Sequence, residues 1–137
     1  MVEDERAQDA AAALAASQER LRVAEVLFQT EYFRDAISRA YYAVLDGATA
    51  CLAARGIQTQ SHAGAIRKFS QEFIRTGSVP RQYGRWFARL ETARINADYD
   101  LRKPASGEEA EAVLGMAREF VAMVEKLLLD LLNEEKT

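Results

Sequence analysis

The chain has 137 residues, of which 49% are apolar, and its formal net charge is −3; only two prolines and seven glycines interrupt it. This length suits one core in a single domain, and the scarcity of helix breakers points to helices. No stretch approaches the roughly 20 uninterrupted apolar residues of a membrane span, which excludes membrane insertion.

The start, MVEDERAQDA, is acidic and lacks the basic and apolar regions of a secretory signal, so a cytoplasmic location is expected. A single cysteine, Cys51, rules out an internal disulfide or a multi-cysteine zinc site. It stands between Ala50 and Leu52 and reads as a small buried apolar side chain.

The first apolar period runs from about Asp9 to Phe28 through Leu14, Leu21 and Ala24, which share a helix face. Residues 1–10 are expected to fray, leaving a core of about 14–132. After the break at Gln29-Thr30-Glu31-Tyr32, a second helix is predicted from Phe33 to Arg55, with Phe33, Ile37, Ala40, Val44, Ala48 and Cys51 as its stripe and Gly56 as its stop. Ser61 is a candidate N-cap for a shorter third helix carrying Ile66, Phe69 and Phe73, which Gly77 ends.

Pro80 suits the first turn of a fourth helix containing Tyr83, Trp86, Phe87, Leu90, Ala97 and Leu101, and Lys103-Pro104 should close it. Ser106 and Glu109 have capping-box spacing, opening a fifth helix through Val113, Ala117, Phe120, Val124, Leu127 and Leu131. Short connections force long neighbours to run antiparallel. The predicted fold is therefore all-α: an up-and-down four-helix bundle with one additional short helix, forming a single domain over 1–137. The heptad-like last helix suits packing within the bundle or across a homodimer.

Charge is unevenly spread. Residues 32–103 hold twelve basic and six acidic side chains, whereas residues 1–31 hold three and seven, and residues 104–137 hold three and eight. A basic centre between acidic ends suits a polyanion surface, and a solvated surface of uneven charge accounts for it as well. Arg81, Arg85 and Arg89 recur every four residues, forming either a phosphate-following stripe or a plain solvated face.

The chemistry concentrates in the run Ala93-Arg94-Ile95-Asn96-Ala97-Asp98-Tyr99-Asp100. At about 100° per residue, Arg94 falls only about 40° from Leu90 and so lies within the apolar face. A guanidinium there keeps its charge and must meet an acidic partner, a ligand anion or a subunit interface. Asp98 lies four residues on, within reach of an internal ion pair. Two readings stay open: a pair that fixes bundle register, and an arginine that binds phosphate or takes part in catalysis.

Three segments, YFRDAISRAYYAVLDGATACLAARG, SHAGAIRKFSQEFIRTGSVP and LETARINADYD, agree in order and spacing with the HEPN superfamily, in the branch encoded beside minimal nucleotidyltransferases. The chain resembles that family over about residues 17–130. The resemblance implies a helical bundle that homodimerises, brings two fourth-helix motifs together, and serves toxin–antitoxin or defence systems, in many members as a metal-independent endoribonuclease. The family's catalytic arginine falls on Arg94. Its motif histidine has no counterpart, because Tyr99, Asp100 and Leu101 occupy the corresponding positions.

The catalytic candidates are thus Arg94, Asp98 and Tyr99, with Tyr99 also the candidate acceptor for nucleotide transfer. The candidates for binding RNA or nucleotide are Arg39, Tyr42, Asn96 and Arg102. His62, the one histidine, reads as a surface residue at a helix start unless folding brings it to the cleft. No phosphate loop, dinucleotide fingerprint or metal-ligand spacing is present, and neither cofactor nor metal is expected. The functional expectation is an RNA- or nucleotide-binding protein with a nucleotidyltransferase partner. The alternatives are a non-catalytic substrate-binding or dimerisation module for that partner, and an adaptor acting through its last helix.

Overall fold

Alanine and other small residues recur so closely in the second apolar segment that neighbouring helices can approach it from every side. A computed structural model, which describes residues 2–136, places that segment at the centre of the molecule. The helices are α1 (Val2–Gln29), α2 (Phe33–Ala54), α3 (His62–Phe69, followed by one wider π-type turn over Ser70–Ile74), α4 (Arg81–Tyr99) and α5 (Gly107–Lys136). Five α-helices and no strand are found among the described residues, and they pack together as an all-α bundle. None of these helices is long and apolar enough to cross a membrane.

The expected stripe on α2 proves to be part of a helix buried nearly all round. Ala36, Tyr41, Leu45, Ala50 and Leu52 are buried along with every stripe residue except the half-buried Phe33, and α1, α3, α4 and α5 all pack against α2. A tight approach is made at Gly47, where a Cβ would lie 3.2 Å from Val124 Cγ2 and 3.4 Å from Ser17 Oγ. Glycine there lets α1 and α5 come in at one level of α2. Ser17 is fully buried and donates to the Ala43 carbonyl at 2.6 Å, so its burial leaves no orphaned polar group.

Phe69, Phe73, Phe87 and Phe120 form the bulky part of the core, all 2% exposed or less. Cys51 is wholly buried, and desolvation pushes its thiol up to about 12, so it packs as an apolar group and is no nucleophile at neutral pH.

The helix stops follow local chemistry. Gly56 (φ 75°) and Gly77 (φ 83°) adopt the left-handed conformation that glycine tolerates, while the α1–α2 turn uses Glu31 at φ 67° instead. Ser61 Oγ accepts from Gly64 N at 3.0 Å and Ser106 Oγ from Glu109 N at 3.1 Å, as N-caps do. Pro80 sits at the N-cap of α4 and not within its first turn.

Two boundaries differ from the sequence expectation. The first is that α1 is helical from Val2, not from near Asp9, because its alanines favour helix and Ala10 is buried in the core. The second is that α4 ends at Tyr99, before Lys103-Pro104. The Arg34 guanidinium on α2 donates to the carbonyls of Ala97, of Asp100 at 3.3 Å and of Lys103 at 3.0 Å. This one side chain satisfies the terminal acceptors of α4 and folds the following turn back. Arg34→Ala is expected to lower stability by about 1–2 kcal/mol in urea unfolding, and to speed amide exchange over residues 97–103 more than elsewhere.

Candidate functional site

The helical-wheel argument places Arg94 within the apolar face of α4, and in the structure that face packs against α2. Its side chain is 15% exposed, and Leu90, Ala93 and Ala97 on the same face are buried. The guanidinium lies over two rings of α2, with Cζ 5.0 Å from the centre of Tyr41 and 5.9 Å from that of Tyr42. Those two rings meet edge to face at 5.2 Å. Stacking on aromatic faces is something a planar guanidinium does better than an ammonium.

The expected partner is present but incomplete. Arg94 Nη1 stands 3.6 Å from Asp98 Oδ2, an ion-pair distance longer than a hydrogen bond. Arg94 Nε and the Tyr41 hydroxyl are both buried, and neither makes a hydrogen bond of good geometry among the described residues, although the two side chains interact with each other. Burial and the negative charge of Glu91 push the Tyr41 hydroxyl above its ordinary range, against the pull of Arg94. Desolvation works against the Arg94 charge, but the electrostatic influence of Tyr42, Tyr41 and Asp98 more than offsets it, and the guanidinium is held above its ordinary value.

A second set of side chains also meets Tyr42. The Arg20 guanidinium, from α1, lies 5.5 Å from the ring centre and donates through Nε to Asp46 Oδ2 at 2.6 Å. His62, at the start of α3, packs edge to face with the same ring at 5.6 Å. The Asp46 carboxyl is raised by desolvation and pulled back by Arg20 and by His62. His62 is exposed, as expected of a helix start, and folding also brings it to the Tyr42 ring that Arg94 approaches.

The other candidates lie nearby or apart. Asn96 and Asp100 line a cavity of about 490 Å³ between the end of α4 and the start of α5; Asn96, Tyr99 and Arg102 line a shallower one of about 420 Å³. Tyr99 is 74% exposed on the last turn of α4, while Arg102 is exposed in the turn beyond. Arg39 is exposed on α2, outside the contacts that join Arg94, Tyr41, Tyr42 and Asp98. Arg81, Arg85 and Arg89 are exposed along α4, with Arg89 3.9 Å from Glu109. No three His, Cys, Asp or Glu side chains converge as a metal site among the described residues.

Sequence reasoning chose Tyr42 over its neighbour Tyr41 in the run Arg39-Ala40-Tyr41-Tyr42, and missed Arg20 and Asp46. A signal existed for Asp46, four residues beyond Tyr42 and so on the same helix face. Arg20 lies on another helix and carried none. The assembled site offers a cation whose carboxylate partner lies beyond hydrogen-bond distance, aromatic rings beside it, and an Arg20–Asp46 pair with His62 around the second ring. It is suited to receiving an anion.

A model of the HEPN domain matches residues 10–127. A Methanocaldococcus jannaschii protein named "Putative toxin MJ0605" is 36% identical over 116 residues, covering 85% of this chain and 86% of the relative. A UPF0332 protein of Thermotoga maritima is 30% identical over 115 residues, covering 84% and 87%. A second M. jannaschii protein, named "Putative toxin MJ0142", is 28% identical over 113 residues, covering 82% and 77%. The match of the domain model over residues 10–127 and the 36% identity along most of the length establish that the chain belongs to the HEPN-domain family.

Proposed function

We propose that this protein is the toxin-like member of a toxin–antitoxin or defence pair, and that as a single-domain homodimer it binds RNA or a nucleotide through Arg94. The observation that carries this reading is the Arg94 side chain: 15% exposed, stacked over Tyr41 and Tyr42, with its carboxylate partner beyond hydrogen-bond reach. A desolvated cation in that state gains most from an anion that can offer two oxygens to its fork, as a phosphate does. The toxin names of two relatives support the biological context. In the catalytic form Arg94 stabilises charge on the phosphate during metal-independent cleavage, and Asp98 and Tyr99 position the strand or pass a proton.

The end of α4 supports both partners. Ile95, Tyr99 and Leu101 are 43%, 74% and 78% exposed, a cluster of apolar surface that a second copy would cover. Tyr99 is open enough to accept a nucleotidyl group from a nucleotidyltransferase partner. The absence of a histidine at Tyr99, Asp100 and Leu101 favours a second reading, a non-catalytic binding or dimerisation module for that partner.

The test is incubation of purified protein with single-stranded RNA in excess chelator, with binding followed in parallel. Degradation supports the endoribonuclease, intact but bound RNA supports the module, and absence of binding overturns both. Intact mass after incubation with ATP and the partner reports nucleotidyl transfer, and Tyr99→Phe is expected to abolish the adduct.

A further inference from the structure

We propose that His62 belongs to the same ligand site as Arg94, its imidazole donating a hydrogen bond to a second phosphate of an RNA strand whose neighbouring phosphate lies at Arg94. The inference rests on the reading of Arg94 given above and extends it to a residue on a different helix.

The geometry centres on Tyr42. Three cationic or titratable groups from three helices surround its half-buried ring: the Arg20 guanidinium at 5.5 Å, the His62 ring at 5.6 Å and the Arg94 guanidinium at 5.9 Å. Two of these charges have carboxylates assigned to them. Arg20 is held by Asp46 at 2.6 Å, and Arg94 faces Asp98 at 3.6 Å. Asp46, a carboxylate that interacts with His62, is held by Arg20. A phosphate near His62 therefore meets a neutralised pair and an imidazole N–H that can donate to it.

There is also room for it. A groove of about 250 Å³ opens beside His62, lined by Asp46, Thr49, Thr59, Gln60 and Ser61 among others. Hydroxyl and amide donors of this kind bind sugar and phosphate oxygens without reading a base. Arg94 and His62 approach one ring from different helices, so one strand passing Tyr42 can meet both. The groups facing His62 are Tyr42 and Asp46 from α2 and Arg20 from α1, with Arg94 of α4 also near that ring. Arg67 and Lys68 on α3 itself are exposed.

His62 is the only histidine, so in untagged protein its imidazole proton resonances are assigned by default. The probe is a 2′-O-methyl tetraribonucleotide, which lacks the 2′-hydroxyl needed for self-cleavage. Its addition is expected to move the His62 resonances. His62→Gln, at an exposed position and checked for folding by circular dichroism, is expected to bind about three- to tenfold more weakly than the wild type. If the oligonucleotide binds in an Arg94-dependent manner while the His62 signals stay still and His62→Gln binds as the wild type does, the inference is overturned and the Arg94 reading stands. Binding that is unchanged in Arg94→Ala, or absent in the wild type, overturns the Arg94 reading and this inference with it.

Discussion

Arg94→Ala is expected to weaken binding of single-stranded RNA by about 10- to 100-fold while changing stability by less than about 1 kcal/mol. The binding loss follows from removing one charge-assisted, two-pronged phosphate contact in a partly desolvated setting, worth about 1.5–3 kcal/mol. The small stability change follows from the state of the arginine in the free protein. Its Nε makes no hydrogen bond of good geometry, its nearest carboxylate oxygen is 3.6 Å away and its guanidinium is largely out of water. Such a cation contributes little to the fold, because desolvation offsets most of what Asp98 and the two rings return. Asp98 keeps 31% of its side-chain surface exposed and can hydrate when the arginine is gone. Arg94→Lys should recover only part of the affinity, since an ammonium neither forks nor stacks as a guanidinium does. Isothermal titration and urea unfolding on the same three proteins decide the matter. A variant that loses several kcal/mol of stability yet still binds RNA would make the Arg94–Asp98 pair a structural tie and nothing more.

Arg94 was legible because a helical wheel needs only one helix: its angle from Leu90 put a permanent charge on an apolar face. Asp98 was legible for the same reason, being four residues along. The helices themselves were legible where single residues punctuate the chain, as at Gly56, Gly77, Ser61 and Ser106. What escaped depends on contacts between helices. Whether Tyr41 or Tyr42 faces Arg94 is settled by how α4 crosses α2, and both do. Arg20 and Asp46 meet only because α1 packs on α2, and His62 reaches Tyr42 only because the loop after Gly56 returns α3 to that side. The early end of α4 is of the same kind, for no feature near Tyr99 announces that Arg34, far back in the sequence, takes up its last carbonyls.

Phe120→Ala should be among the most destabilising single substitutions in the core, costing about 3–5 kcal/mol, a large part of the 5–15 kcal/mol that holds a domain folded. Phe120 is completely buried on α5, and its ring lies 5.5 Å from Phe87, 5.6 Å from Phe69 and 5.8 Å from Tyr83. Truncation removes one of the largest buried side chains and leaves a void walled by rigid rings that cannot collapse into it. Phe120→Leu refills part of the space and should cost about 1–2 kcal/mol, whereas Leu129→Ala, at a position 65% exposed on the same helix, should stay within about 0.5 kcal/mol of wild type. The aromatic contacts run on from Phe120 to Phe87, from Phe87 to Tyr41 at 6.3 Å, and from Tyr41 to Arg94. The core thus sets the platform on which the guanidinium rests. Under conditions where Phe120→Leu is fully folded, its RNA affinity should fall by less than about threefold, because Tyr41 is also fixed by its own place in α2. A tenfold loss in the folded variant would mean that the α5 ring, and not α2, determines where Arg94 is held.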